Sequence, residues 1–289
     1  MTQTKGAKSR SSAQDLSRAV ERPRFELLPL EGAEEQATYL PDGATVTVTC
    51  SPTQGLESTL RFAEHLSERG FHAVPHISAR LVSSESHLEE TVRRLEDRGV
   101  REVFVIGGDA KQPVGEFSGA SGLLEAMDRI GHGFEEVGVA GYPEGHPIIA
   151  DSDLWRALQE KRRYASYIVT QMCFDTEAIL NWVSGIREQG IRLPVYVGLP
   201  GVLEWKKLLR ISLKIGVGDS ARFLTKNGGV LKTLLRPHYS PDDLVEKLSP
   251  YIGGSGYDIR GLHFYTFNQT AALEWWRRRL LKPAGEVAT

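Results

Sequence analysis

Eight short β-rich runs separated by amphipathic segments, several of the runs apolar throughout, predict a closed (β/α)8 barrel, a TIM barrel, in one domain. Continuous apolarity is what parallel strands covered on both sides require, whereas a half-exposed sheet would alternate. The length of 289 residues suits a single barrel of this kind. An open doubly wound sheet fits less well: "VIGGDA" is the nearest thing to a Gly-x-Gly-x-x-Gly turn, and it does not follow the first strand.

In chain order the strand candidates are "RFELLPL", "ATVTVTCS", "HAVPHISA", "EVFVIGGD", "EVGVAGYPE", "YIVTQMCF", "PVYVGLPG" and "RGLHFYTFN". "GLESTLRFAEHLSERG" places Leu56, Leu60, Ala63 and Leu66 on one helical face and stops at Gly70. "SSESHLEETVRRLEDRG" repeats the pattern with Leu88, Val92 and Leu95 and stops at Gly99. In "DTEAILNWVSGIREQG", Asp175 is the expected N-cap, Ile179, Val183 and Ile186 the stripe, and Gly190 the stop. "SPDDLVEKL" starts a helix with Pro241 in its first position and acids at the positive end of the dipole. Residues 217–239 are expected to be an insertion with an extra helix near the barrel mouth, and a C-terminal helix closes the domain.

The domain is expected to span residues 23–281, between a disordered polar tail over 1–22 and a flexible one over 282–289. A net charge of −2 offers no electrostatic footprint for nucleic acid or an anionic membrane. Cys50 and Cys173 are far apart and have no metal-ligand spacing, so a reducing, cytoplasmic setting is expected. No run is long and apolar enough to span a bilayer.

Function in such barrels sits at the C-terminal strand ends. Those ends carry Glu26, Thr49, His76, Asp109, Tyr142 with Glu144 and His146, Gln171, and finally His263, Tyr265 and Asn268. Each alone is ordinarily a satisfied structural residue. A polar residue at nearly every strand end instead implies one axial pocket. Glu26 stands out, because it is an acid set between Phe25, Leu27 and Leu28. No metal spacing and no nucleophile elbow accompanies these residues.

The same motifs, in the same order from about residue 24 to 281, resemble the methylenetetrahydrofolate reductase family. "FELLP" resembles its first-strand motif, which implies that Glu26 supplies a proton. "VTVTCSPTQG" implies a site role for Thr49, and "VPHIS", similar to the family's "PHL" strand, one for His76. "GGD" puts Asp109 near the folate, "AGYPEGHP" resembles the "YPE-x-HP" signature with Tyr142 and His146, and "TQMCFD" resembles "TQFFFD" with Gln171 on the folate. "HFYTFN" matches the last strand. Asp153 keeps a cofactor-binding position in the next helix, and Glu57, just past the second strand, is a second candidate acid.

The departures bear on the cofactor. Gly107 stands where FAD-holding relatives usually have an arginine, "SPTQG" replaces a glycine-rich turn, and Leu158, Gln159 and Glu160 replace a Leu-Lys-x-Lys arrangement, with Lys161, Arg162 and Arg163 displaced beside it. Fewer cations and an added acid weaken the hold on a flavin diphosphate. The resemblance therefore implies a branch without FAD, in which NADH, or NADPH, reduces 5,10-methylene-tetrahydrofolate to 5-methyl-tetrahydrofolate directly. The alternatives are an FAD-dependent reductase of the same reaction and a non-catalytic folate-binding barrel. The expected partners are the folate and the nicotinamide nucleotide alone, in a monomer or small homo-oligomer.

Overall fold

The computed structural model describes residues 14–214, 238–254 and 256–281. Its strands are β1 (Arg24–Leu27), β2 (Thr45–Val48), β3 (His72–Ser78), β4 (Glu102–Ile106), β5 (Glu136–Gly141), β6 (Tyr167–Thr170), β7 (Val195–Pro200), β8 (Leu203–Glu204), β9 (His238–Tyr239) and β10 (Ile259–Tyr265). Eight of them close a barrel in the order β1-β10-β7-β6-β5-β4-β3-β2, with every neighbouring pair parallel. The chain is a (β/α)8 barrel, and its eight barrel strands are the eight runs read from the sequence. β8 and β9 form a separate antiparallel pair.

The helices are α1 over residues 14–21, then α2 (Ala33–Ala37), α3 (Gly55–Glu68), α4 (Glu85–Asp97), α5 (Ala120–Ile130), α6 (Asp151–Lys161), α7 (Thr176–Glu188), α8 (Trp205–Lys214), α9 (Asp242–Leu248) and α10 (Thr270–Leu281). The glycine stops at Gly70, Gly99 and Gly190 all have positive φ, the conformation that ends a helix at least cost. Asp175 caps α7, its Oδ1 accepting from the backbone of Glu177 and Ala178. Pro241 sits one place earlier than expected, at the N-cap of α9.

Strand periodicity divides the core in two. Phe25 and Leu27 point outward into the large apolar layer beneath the helices. The inner face is smaller and includes Val74, Phe104, Tyr167 and Val169. Tyrosines fit there because glycines face them: a Cβ on Gly198 would stand 2.7 Å from the Tyr265 ring and 2.2 Å from the Thr170 carbonyl. Closure between β1 and β10 is reinforced by side chains. Thr266 Oγ1 donates to the Glu26 carbonyl, and Asn268 brackets Leu28, accepting from its N–H at 2.9 Å and donating to its carbonyl at 3.0 Å.

The expected polar tail is corrected over its last part. Residues 14–21 are helical, Ala19 and Val20 are buried, and Arg277 Nη1 donates to the carbonyls of Val20 and Glu21 at the helix end. Leu16, Ala19 and Val20 make an apolar stripe only one turn long, too short to stand out in a Ser-rich segment. The extra helix expected within 217–239 lies outside the described residues, apart from His238 and Tyr239 of β9; so do residues 1–13 and the 282–289 tail. Among the described residues no helix is long and apolar enough to cross a membrane.

Candidate active site

The C-terminal strand ends surround a cavity of about 1640 Å³, lined in part by Glu26, Thr49, His76, Asp109, Tyr142, His146, Asp153 and Gln171. Pockets for one small ligand run to roughly 300–1,000 Å³, so this space suits two ligands at once. Of the residues singled out from the sequence, Glu57 and Asn268 are missing from its wall.

Glu26 points inward because it lies two residues from Arg24 on β1, and both side chains enter the barrel. It is 7% exposed. His263 Nε2 of β10 stands 3.4 Å from Glu26 Oε2, and His76 Nε2 of β3 stands 3.9 Å from the same oxygen. Neither contact is an ion pair at neutral pH. Burial pushes the Glu26 carboxyl up to about 7, with His76 opposing it in part. Burial likewise pushes His76 down to about 4 and His263 down to about 3. Acidification therefore protonates the carboxyl before either imidazole.

Asp109 is exposed at the rim beyond β4, close enough to Tyr142 to raise its phenol, after burial, and to His146 to oppose the fall that burial imposes on its imidazole. Tyr142 and His146 meet edge to face with centroids 5.3 Å apart. Gln171 is partly committed, since its Oε1 accepts from the Met172 N–H at 2.9 Å and its NH2 remains for a ligand. Thr49 ties the end of β2 to β1 by donating its N–H to the Leu27 carbonyl. Asp153 is at the rim but pairs with Arg156 at 2.6 Å.

Glu57 is a correction. It lies on the outer side of α3 with its side chain 54% exposed, and Arg94 of α4 grips it at 2.7 Å while also binding Glu64. Proximity to the second strand in sequence suggested an inward acid, but the helical phase turns it away.

Three further features have no individual role assigned from sequence. His263 was visible as a strand-end residue, and its separation of two from Tyr265 already put both on the inner face. Lys161, at the end of α6, is 7% exposed and lines the cavity; its Nζ donates to the Ala140 carbonyl at 3.4 Å, and burial lowers it to about 8. Among the described residues no carboxylate lies within ion-pair distance of it. Trp155 and Trp182 stack on the same wall, 6.4 Å apart at 23°. No group of three His, Cys, Asp or Glu side chains among the described residues could hold a metal ion.

Fold and site together define a (β/α)8 barrel with a buried acid on the wall of the cavity at its C-terminal face. The methylenetetrahydrofolate reductase family model matches residues 30–275, and the chain belongs to that family. Methylenetetrahydrofolate reductase 1 of Schizosaccharomyces pombe is 27% identical over 215 residues, covering 71% of this chain and 35% of that protein. Methylenetetrahydrofolate reductase (NADH) 1 of Arabidopsis thaliana is 28% identical over 207 residues, covering 63% and 33%. The chain thus spans about a third of the length of these two relatives. The 5,10-methylenetetrahydrofolate reductase of Pectobacterium carotovorum is 27% identical over 229 residues, covering 78% of this chain and 75% of that protein. Glu26 precedes the family match by four residues, so its position in the site rests on the barrel geometry.

Proposed function

We propose that this chain reduces 5,10-methylene-tetrahydrofolate to 5-methyl-tetrahydrofolate with hydride from NADH or NADPH, both bound together and without an intervening flavin. The observation that carries this reading is the Glu26 carboxyl, buried between two neutral imidazoles on the wall of a two-ligand cavity. Opening the methylene bridge leaves a poor nitrogen leaving group, and a carboxylic acid still protonated near pH 7 can supply its proton. Once ionised, the same carboxylate favours the iminium cation that accepts the hydride. A binding protein would have no use for that acid.

Asp109 and the Gln171 NH2 suit the hydrogen-bonding edge of the pterin, the carboxylate accepting from its amino-pyrimidine side. Tyr142 and His146 offer a ring surface for a second flat group. The nicotinamide supplies the hydride when bound; the protein aligns the two ligands and keeps water out.

For the dinucleotide, the described cations of the wall are Arg80, Lys111 and Lys161. Arg80 is spent on the carbonyls of Ala110, Lys111 and Ser118, and Lys111 is exposed. Lys161 is the buried ammonium that suits a diphosphate, facing a rim that also carries Asp109, Glu144, Asp151 and Asp153. FAD chemistry requires flavin and nicotinamide dinucleotides at the same time. A single buried ammonium among the described residues suits one, and Gly107 offers no side chain for a second.

The test is NADH oxidation by flavin-stripped protein with methylene-tetrahydrofolate. Turnover with intersecting, sequential initial-rate patterns is expected. Turnover only after FAD is added, with flavin absorbance in the purified protein, would establish the FAD-dependent reading instead; folate binding without turnover in either state would leave a binding protein.

A further inference from the structure

The geometry points to His263 as the residue that decides which oxygen of Glu26 carries the acidic proton: its Nε2–H donates to Oε2 and so leaves the proton on Oε1, the oxygen facing the cavity. This inference rests on the proposed function for its catalytic meaning.

Both imidazoles approach one oxygen. His263 Nε2 and His76 Nε2 are 3.4 and 3.9 Å from Oε2, and no described protein group lies within hydrogen-bond reach of Oε1. Yet Oε1 is not among the buried polar atoms left without a partner, so it has contact with the open space of the cavity. The carboxyl therefore has one oxygen held by the barrel wall and one presented to a ligand.

The tautomer of His263 follows from its other nitrogen. Nδ1 is fully buried and has no hydrogen-bond partner. A hydrogen on Nδ1 would be a buried, unpaired donor, a costlier defect than an unfilled lone pair in the same place. It would also turn the Nε2 lone pair toward an ionised carboxylate. With the hydrogen on Nε2 both faults disappear, and the imidazole donates to Oε2 whether Glu26 is charged or neutral. A neutral Glu26 accepting at Oε2 carries its hydrogen on Oε1.

The consequence is directional. Without such a donor a buried carboxylic acid can turn its hydroxyl toward the nearest imidazole, where it is useless to a ligand. His263 is thus a positioning residue acting through Glu26. The charged or titratable groups around Glu26 are His76 on β3, His263 and Tyr265 on β10, and Arg24 on β1 itself. Both histidines stay neutral across the range in which Glu26 titrates, so the bond from His263 changes by rearrangement of one hydrogen on the carboxyl alone. A 3.4 Å separation is long for a finished bond, as such contacts often are before ligands close the site.

Two measurements test this. Nitrogen-15 shifts of labelled wild-type protein, with His263 assigned by its loss in His263→Gln, are expected to show protonated Nε2 and bare Nδ1. Protonated Nδ1 overturns the inference without touching the proposed reaction. In kinetics, His263→Phe is expected to lower kcat/KM for the folate about 10- to 100-fold and to move the alkaline limb to higher pH, because the lost donor had favoured the ionised carboxylate. His263→Gln, whose amide also offers an N–H, is expected to restore most activity and the wild-type limb. Equal losses in both variants with an unmoved limb would reduce His263 to a packing residue. Protonated Nε2 in a protein that never oxidises a nicotinamide would instead refute the proposed function and leave the bond standing.

Discussion

The barrel interior buries two glutamates, one above the other, and the protein treats them in opposite ways. Glu102 near the N-terminal end is 3% exposed and Glu26 near the C-terminal end is 7% exposed. Burial pushes both carboxyls up. At Glu102 it is outweighed by His72, whose Nε2 is 2.6 Å away, by Arg24, and by Tyr167, so the net shift is downward. Arg24 is itself fixed between the Tyr167 and Tyr196 rings, at 4.5 and 4.6 Å. At Glu26 no cation among the described residues makes direct contact, burial prevails, and the carboxyl stays protonated up to about 7. Depth does not set the charge state of a buried acid; its partners do. One end of the barrel is built to keep a charge, the other to keep a proton.

The sharpest break in that comparison comes from Glu26→Gln. It is expected to lower kcat by about 10²–10⁴-fold while leaving folate affinity near wild type, read by turnover and by equilibrium binding. Removing charge at the lower site should harm the fold instead. Arg24→Met leaves Glu102 buried without its guanidinium, and a loss of about 3–5 kcal/mol is expected in denaturant unfolding.

The two acids also give opposite pH dependence of stability. Glu26 is raised from its ordinary 4.5 to about 7. The folded state therefore binds its proton more tightly, and stability falls as pH rises across that window. Glu26→Gln removes that loss and is expected to raise stability at pH 8 by at most about 3 kcal/mol, with little change below pH 4.5. Glu102 is lowered, so its contribution is present above the ordinary carboxylate range and is lost on acidification through its folded-state value.

Smaller effects belong to the cavity wall and the outer surface. Lys161→Met is expected to raise KM for NADH about tenfold, the size of one lost charge-assisted bond, without altering KM for the folate. Glu57→Gln, out on the helical surface, is expected to change kcat less than about twofold and stability by less than about 1 kcal/mol, since exposed pairs contribute little.

The barrel was legible because apolar runs and glycine stops are local signals. Glu26 was legible as an anomaly, an acid between Phe25 and Leu27 with no neighbour to neutralise it. Its surroundings were not. His263 is 237 positions away and reaches Glu26 only because β10 closes the barrel against β1. Glu57 misled for the converse reason: it is near β2 in sequence, yet its partner Arg94 comes from the next helix, 37 positions on. Lys161 sits in a run of three basic residues, and composition does not say which of them the helix turns inward. The short stripe of α1 was hidden by polar neighbours, and its docking depends on Arg277 near the other end of the chain.

The most direct test of the contrast between the two acids is infrared titration of the carboxyl band in the difference between wild-type protein and Glu26→Gln. A protonated carboxyl that persists in the folded protein and disappears with a midpoint near pH 7 is the predicted result. A midpoint near 4.5, the value of a carboxyl in water, would show that the upper acid is ionised at neutral pH and contradict the role assigned to it.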